Sequence, residues 1–204
     1  MTELEPAAGA AALQAVLAAF PARPFPKGLQ VSAGGRWFDE QGALHAYDDP
    51  ESAAVARFFG GKAWADVRGD DLLAWGRAAV SYLFLTAEAL AYYLPAYLKA
   101  FVTVPLHPLA FTAVEAGVRA LVPPDAVEAP QPQQPPDARS GKQRQAMALD
   151  RQAWFDRFHR SLTAPQAKAV AQVLEALVPV FDDPHAENTA RVALDRFWRE
   201  RAAG

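Results

Sequence analysis

Apolar residues recur at helical spacing along most of this chain, and the stripes they form predict where its helices lie. Leu13, Val16, Leu17 and Phe20 share a face over about 7–19, before Pro21, Pro24 and Pro26 end the segment. Asp49-Pro50-Glu51 reads as a helix start, with Asp as the cap, Pro in the first turn and an acid at the positive end of the dipole. That helix should stop at Gly60-Gly61. Asp70 and Asp71 open another, with Leu72, Trp75, Ala79, Val80, Leu83 and Phe84 as its stripe. Thr86 caps a third, which carries Leu90, Leu94, Leu98 and Phe101. Pro95 cannot donate to Ala91 and should kink or break it.

The later segments obey the same rule. A helix from about Pro108 to Leu121 shows Phe111, Val114, Val118 and Leu121, and another carries Met147, Trp154, Phe155, Phe158 and Leu162. Thr163-Ala164-Pro165-Gln166 fits a capping box, opening a helix with Val170, Val173, Leu174, Leu177 and Phe181 on its inner face. Asp183-Pro184 should start the last helix, burying Ala190, Leu194 and Phe197, with Trp198 beside them. One stretch breaks the period. Between 28 and 47, Leu29 and Val31 alternate with polar residues, Gly34-Gly35 can make a tight turn and Gly42 a second, so a small hairpin or three-stranded meander is expected. The fold class is therefore mainly α, a single compact bundle of about seven or eight helices with that small β element.

Pro123 to Gly141 interrupts the helical pattern with a run rich in proline, which removes backbone donors and fixes φ. Residues 123–141 read as an exposed linker dividing a front part, 7–122, from a C-terminal helical part, 142–202, within one domain spanning 1–204. Charge divides along the same line: residues 1–138 carry 9 basic and 15 acidic side chains, and residues 139–204 carry 11 and 8. Neither balance is that of a dedicated nucleic-acid binder. Arg139, Lys142, Arg144, Arg151, Arg157 and Arg160 form the solvated face of a helix whose aromatics point inward, so no nucleic acid is expected as a partner.

The start Met1-Thr2-Glu3-Leu4-Glu5 carries acids where a secretory signal needs basic residues, which suggests a cytoplasmic protein. Ala78 to Leu98 is about long enough to span a bilayer, but Glu88 sits mid-window and Thr86 with Glu88 looks like a helix start. No membrane partner is expected.

Candidate chemistry is sparse. The chain has no cysteine, which removes thiolate metal sites, disulfides and a cysteine nucleophile. His45, His107, His159 and His185 lack the spacing that sets two ligands on one helix face. Asp182-Asp183-Pro184-His185 with Glu187 is the sole acid–histidine cluster, better read as a cap than as a metal site, and His159 reads as a surface residue. No serine sits in a nucleophile elbow and no glycine loop joins a strand to a helix, so neither metal nor cofactor is expected. Glu88, the lone charge in an apolar stretch, is the candidate general acid/base, with Lys62, Tyr92 or Tyr93 as helpers. Trp64, Tyr92, Tyr93 and Tyr97 are candidate binding residues, for which packing in the core is the simpler role.

Phe84-Leu85-Thr86-Ala87-Glu88-Ala89-Leu90-Ala91-Tyr92-Tyr93-Leu94-Pro95-Ala96-Tyr97-Leu98 resembles the signature LT-x-EA-x-x-YYLPAYL of an uncharacterised bacterial domain family of unknown function. Phe58 to Val67 is similar to that family's F-x-G-K-x-W-x-D-V element, and Ala18-Ala19-Phe20 with Pro21 and Pro24 to an early turn in it. Leu162 to Gln166 and Ala193 to Trp198 resemble its closing helices. The resemblance implies a shared fold and a bacterial, cytoplasmic setting, and no activity. With no enzyme signature in view, the expected function is a non-catalytic protein-binding or regulatory module, of the kind bacteria use in defence and immunity. The alternative is a small enzyme using Glu88. Limited proteolysis should cut first between Pro123 and Lys142, where extended backbone fits a protease cleft. The two fragments should co-elute on a sizing column, and their separation without denaturant would establish two independent domains.

Overall fold

The computed structural model describes residues 3–74, 82, 84–105, 108–124, 141–182 and 187–204. Within them the chain is mainly helical, with one two-stranded antiparallel sheet. The helices are α1 (Pro6–Ala19), α2 (Pro50–Phe59), α3 (Gly69–Ala74), α4 (Ala87–Thr103), α5 (Pro108–Arg119), α6 (Gly141–Arg160), α7 (Ala164–Leu177), α8 (Thr189–Ala193) and α9 (Arg199–Ala203). A 3-10 turn spans Trp64–Asp66, and a π-helical stretch, Leu194–Trp198, joins α8 to α9.

Helix α4 is the axle. Its sequence is apolar on almost every face, which a helix tolerates in water only when neighbours enclose it. Leu90, Tyr92, Tyr93, Leu94, Pro95, Tyr97, Leu98 and Phe101 are all buried, and α1, α3, α6 and α7 pack around the helix. Each such large side chain taken fully from water contributes about 1.5–3 kcal/mol. Pro95 does not break the helix as expected, since α4 continues from Ala87 to Thr103. The proline removes a single donor, and the helix, packed on all sides, continues past it.

Caps predicted from sequence are mostly in place. Asp49 accepts from the Glu51 and Ser52 N–H groups, Thr86 from Ala89, and Gln166 Oε1 accepts from the Thr163 N–H at 2.9 Å in the capping box of α7. The last helix departs from expectation. Its cap is Asn188, which accepts from the Arg191 N–H and donates to the Val178 carbonyl; Asp183, Pro184 and His185 lie outside the described residues. The π stretch adds a residue to one turn and so rotates the end of the helix about its axis. Trp198 is consequently buried, with its indole N–H donating to the Leu121 carbonyl at 2.7 Å, while Phe197 is half-buried.

The β element is smaller than a meander. Strand β1 (Gly35–Phe38) pairs with β2 (Leu44–Tyr47), Gly35 opposite Tyr47 and Phe38 opposite Leu44. The hairpin turn falls at 39–43, with Gly42 at φ 84°, and the expected turn at Gly34-Gly35 does not form. Gly35 belongs to the strand, where the Tyr47 ring lies so close over its Cα that a Cβ would sit 2.5 Å from the ring. Nor does the Leu29–Val31 stretch join the hairpin. Ser32 bridges Leu85, and the Val31 carbonyl accepts from the Thr86 N–H, so this segment is tied to the start of α4.

Helices from both sides of the Pro-rich segment share the core: α1 packs on α7, α4 on α6 and α7, and α5 on α8. Residues 125–140, most of the expected linker, lie outside the described residues, as do 75–81 and 83 from the stripe after Asp71. No helix among the described residues is long and apolar enough to cross a membrane.

Tyr93 is fully buried and its hydroxyl lies 2.7 Å from the Phe59 carbonyl and 3.0 Å from that of Lys62, at the end of α2. Tyr93→Phe should leave these acceptors unsatisfied and lower unfolding stability by about 1–3 kcal/mol in urea melts, with an unchanged denaturant slope.

Candidate functional site

The four aromatic candidates fall inside the core. Trp64, Tyr92, Tyr93 and Tyr97 are all buried. The Tyr92 hydroxyl donates to the Arg23 carbonyl at 2.9 Å and accepts from the Trp64 N–H at 3.3 Å. Burial pushes the Tyr93 hydroxyl well above the usual tyrosine range. These side chains close the loops around α4 and present no surface to a ligand. Lys62 is exposed, its ammonium 4.3 Å from the centre of the Phe58 ring.

Glu88 stands elsewhere, exposed in the first turn of α4 on the wall of a groove of about 700 Å³. One side of this groove is β1 and the facing wall is α6, with Gln143, Met147, Asp150 and Trp154. Its floor is built from Tyr82, residues 84–87 and the end of α5 at Arg119. Neither Trp64, Tyr92 nor Lys62 lines it, so Glu88 and its expected helpers do not form one site.

The groove's composition could not be read from any local motif, because its residues come from four distant stretches. Trp37 and Tyr47 are about half exposed, 51% and 53%, on one face of the hairpin. Trp37 stacks on His45 with ring centroids 4.6 Å apart, and His45 Nε2 lies 2.8 Å from Asp39 Oδ2. The hydrogen bond to His45 and the Ala43 N–H hold the Asp39 carboxyl below its usual range. The helical stripe places Trp154 wholly inward. It is half-buried instead, its indole N–H donating to the Leu85 carbonyl at 3.1 Å and its flank facing the groove.

The walls carry a small excess of positive charge. Arg36, Arg119, Arg151 and Arg157 meet Asp49, Glu88 and Asp150. Asp49 is engaged in capping α2, and Asp150 accepts from Arg36 at 3.2 Å. Arg119 pairs with Glu115 outside the lining, and Arg157 makes no ion pair among the described residues. The positive end of the α4 dipole points the same way. No histidine, serine or cysteine lines the groove among the described residues, and none of them form a cluster of metal-ligating side chains. Such walls can bind and orient a chain carrying negative charge.

Comparison with family models, with curated proteins and with solved structures finds no match to this chain. The resemblance in the α4 block therefore rests on its own residues.

His159 corrects another expectation. It is no surface residue: its side chain is 16% exposed and its ring lies between Phe155 and Phe197, at centroid distances of 5.5 and 4.8 Å. Nε2 approaches Asp156 at 3.4 Å, and Nδ1 is buried without a partner among the described residues. Burial lowers its pKa below the ordinary histidine value, against the opposing pull of Asp156. The unfolded chain thus takes up the proton first. Stability should be complete above about pH 6.5 and should fall as the pH drops toward the lowered folded value. Urea melts at pH 7.5 and 5.5 should show a smaller acid loss for His159→Phe than for the unsubstituted protein.

Proposed function

We propose that this protein is a non-catalytic binding module that takes an extended peptide segment of a protein partner into the groove between β1 and α6. The observation that carries this reading is the groove's lining. It combines Trp37, Tyr47 and Trp154 with four arginines, the residue types that dominate binding energy in protein interfaces. Trp37 and Tyr47 remain half exposed although each is large and apolar over most of its surface. Completing their burial against a partner supplies a driving force, and the arginines supply orientation.

The enzyme reading has one observation in its favour, the presence of Glu88 on the groove wall. Against it stands the exposed position of Glu88 in the first turn of α4, where a carboxylate already has a role beside free N–H groups. Catalysis would also require a second proton-transfer group at hydrogen-bond reach of the same substrate atom.

Selection from a phage-displayed library of random nonapeptides tests the proposal. Enriched peptides should lose affinity by about tenfold or more with Trp37→Ala or Arg157→Glu, both on exposed side chains, and should keep it with Glu88→Gln. Failure of any sequence to enrich, or binding indifferent to both substitutions, would sink the binding module. A hydrolytic activity abolished by Glu88→Gln in a folded protein would replace it with the enzyme.

A further inference from the structure

Strand β1 has two edges, and their hydrogen bonding differs. Asp39 donates to the Ala43 carbonyl, which sets the alternation along the hairpin: Trp37 and Gly35 turn their peptide groups toward β2, and Phe38 and Arg36 turn theirs away. The Phe38 carbonyl agrees, since it accepts from the Gln143 side chain of α6, on the side opposite β2. Its own N–H, and both the N–H and the carbonyl of Arg36, have no partner among the described residues. Because β2 lies on one side of β1 and α6 on the other, this open edge runs along the groove.

An open strand edge is satisfied by water or by another extended backbone, and by few other chemistries. Here it is walled by aromatics and arginines, which would give a strand laid against it both apolar contacts and charge selection. We infer that the partner segment binds as a third strand beside β1, exchanging hydrogen bonds with the peptide group of Arg36, and that it carries an acidic side chain directed to Arg157. This inference rests on the groove being the binding site, and it adds the binding mode and the charge of the ligand. Alternate side chains of an added strand point to opposite faces, so one set would meet the groove walls while the other faces solvent. The acid is the complement of Arg157, which makes no ion pair among the described residues, whereas Arg36 is held by Asp150, Arg119 by Glu115, and the Asp49 carboxylate by the α2 cap. The outer edge of β2 offers similar backbone groups at Leu44 and Ala46, but all of β2 is exposed and no second wall faces it.

The test uses synthetic nonapeptides enriched from the random library and the full-length protein. Proline at position 36 removes an N–H that makes no bond to β2, so the hairpin ladder is preserved. Arg36→Pro should bind about tenfold or more weaker than Arg36→Ala, the control for losing the guanidinium and its Asp150 pair, whereas Ala46→Pro should bind like the unsubstituted protein. In parallel, N-methylation of the peptide should abolish binding at alternate backbone positions, and amide exchange of the Arg36 N–H should slow on binding. These two readouts do not depend on any variant folding. Replacing the acid shared by the enriched peptides with lysine should weaken binding, with a smaller effect at high salt. If Arg36→Pro and Arg36→Ala bind alike and N-methylation has no positional pattern, strand addition is wrong. Loss with Trp37→Ala in that case keeps the groove as the site. Loss with Ala46→Pro alone would move the ligand to β2 and overturn the inference. Indifference to every one of these variants would overturn the groove reading as well.

Discussion

Enclosure of α4 is the constraint on which the rest of this structure depends. A helix with Leu90, Leu94, Leu98 and Phe101 on one side and Tyr92, Tyr93 and Tyr97 on another cannot leave any long face in water, so four other helices must surround it. The tyrosines also solve a polar problem. Their hydroxyls reach the carbonyls of Arg23, Phe59 and Lys62, where α2 and the proline-rich turn after α1 expose acceptors that burial would strand. Two tryptophans repeat the arrangement, the buried Trp198 on Leu121 and the half-buried Trp154 on Leu85. Core aromatics here double as ties between the helices and the loops that end them.

That enclosure opens at the beginning of α4, where Glu88 is exposed. Thr86 bonds both to its own helix and to the Gln30 carbonyl, and the Ser32–Leu85 bridge draws residues 30–32 to the same point. The chain then continues into β1 at a distance from the α4 axis that the side chains of α6 only partly fill. The groove is the consequence. It gathers charge because a helix start, a hairpin and the solvated face of α6 converge there, and each of these elements carries its polar residues outward.

Why Glu88 drew attention in the sequence, and why the structure gives it a plainer place, has a single cause. A lone carboxylate among apolar residues looks desolvated when the chain is read as a line. In three dimensions the apolar neighbours belong to the inward faces of α4, and position 88 is the exposed member of a first turn whose Ala87, Ala89 and Leu90 are buried. His159 shows the reverse. Flanked in sequence by Phe158 and Arg160 it resembles a surface residue, yet the π stretch swings Phe197 over its ring. Neighbours in sequence reported the wrong environment in both cases, because burial depends on which face of the helix meets a partner.

By itself the sequence determined the helices and their limits wherever a local rule governs: the 3.6-residue stripes, the caps Asp49 and Thr86, the capping box at Thr163, and a hairpin in the one stretch where the period changes. It also determined that the α4 block would be core, since no surface could carry so many apolar residues. That α4 would pass through Pro95 unbroken, that Asn188 would cap the last helix, and which side of Gly34-Gly35 the hairpin would close on were decided only by tertiary structure. The groove belongs to that second class entirely. Arg36, Trp37, Arg119 and Trp154 are scattered over more than a hundred residues, and no local hydrogen bond or periodicity couples them; they meet because the burial of α4 leaves their elements nowhere else to pack.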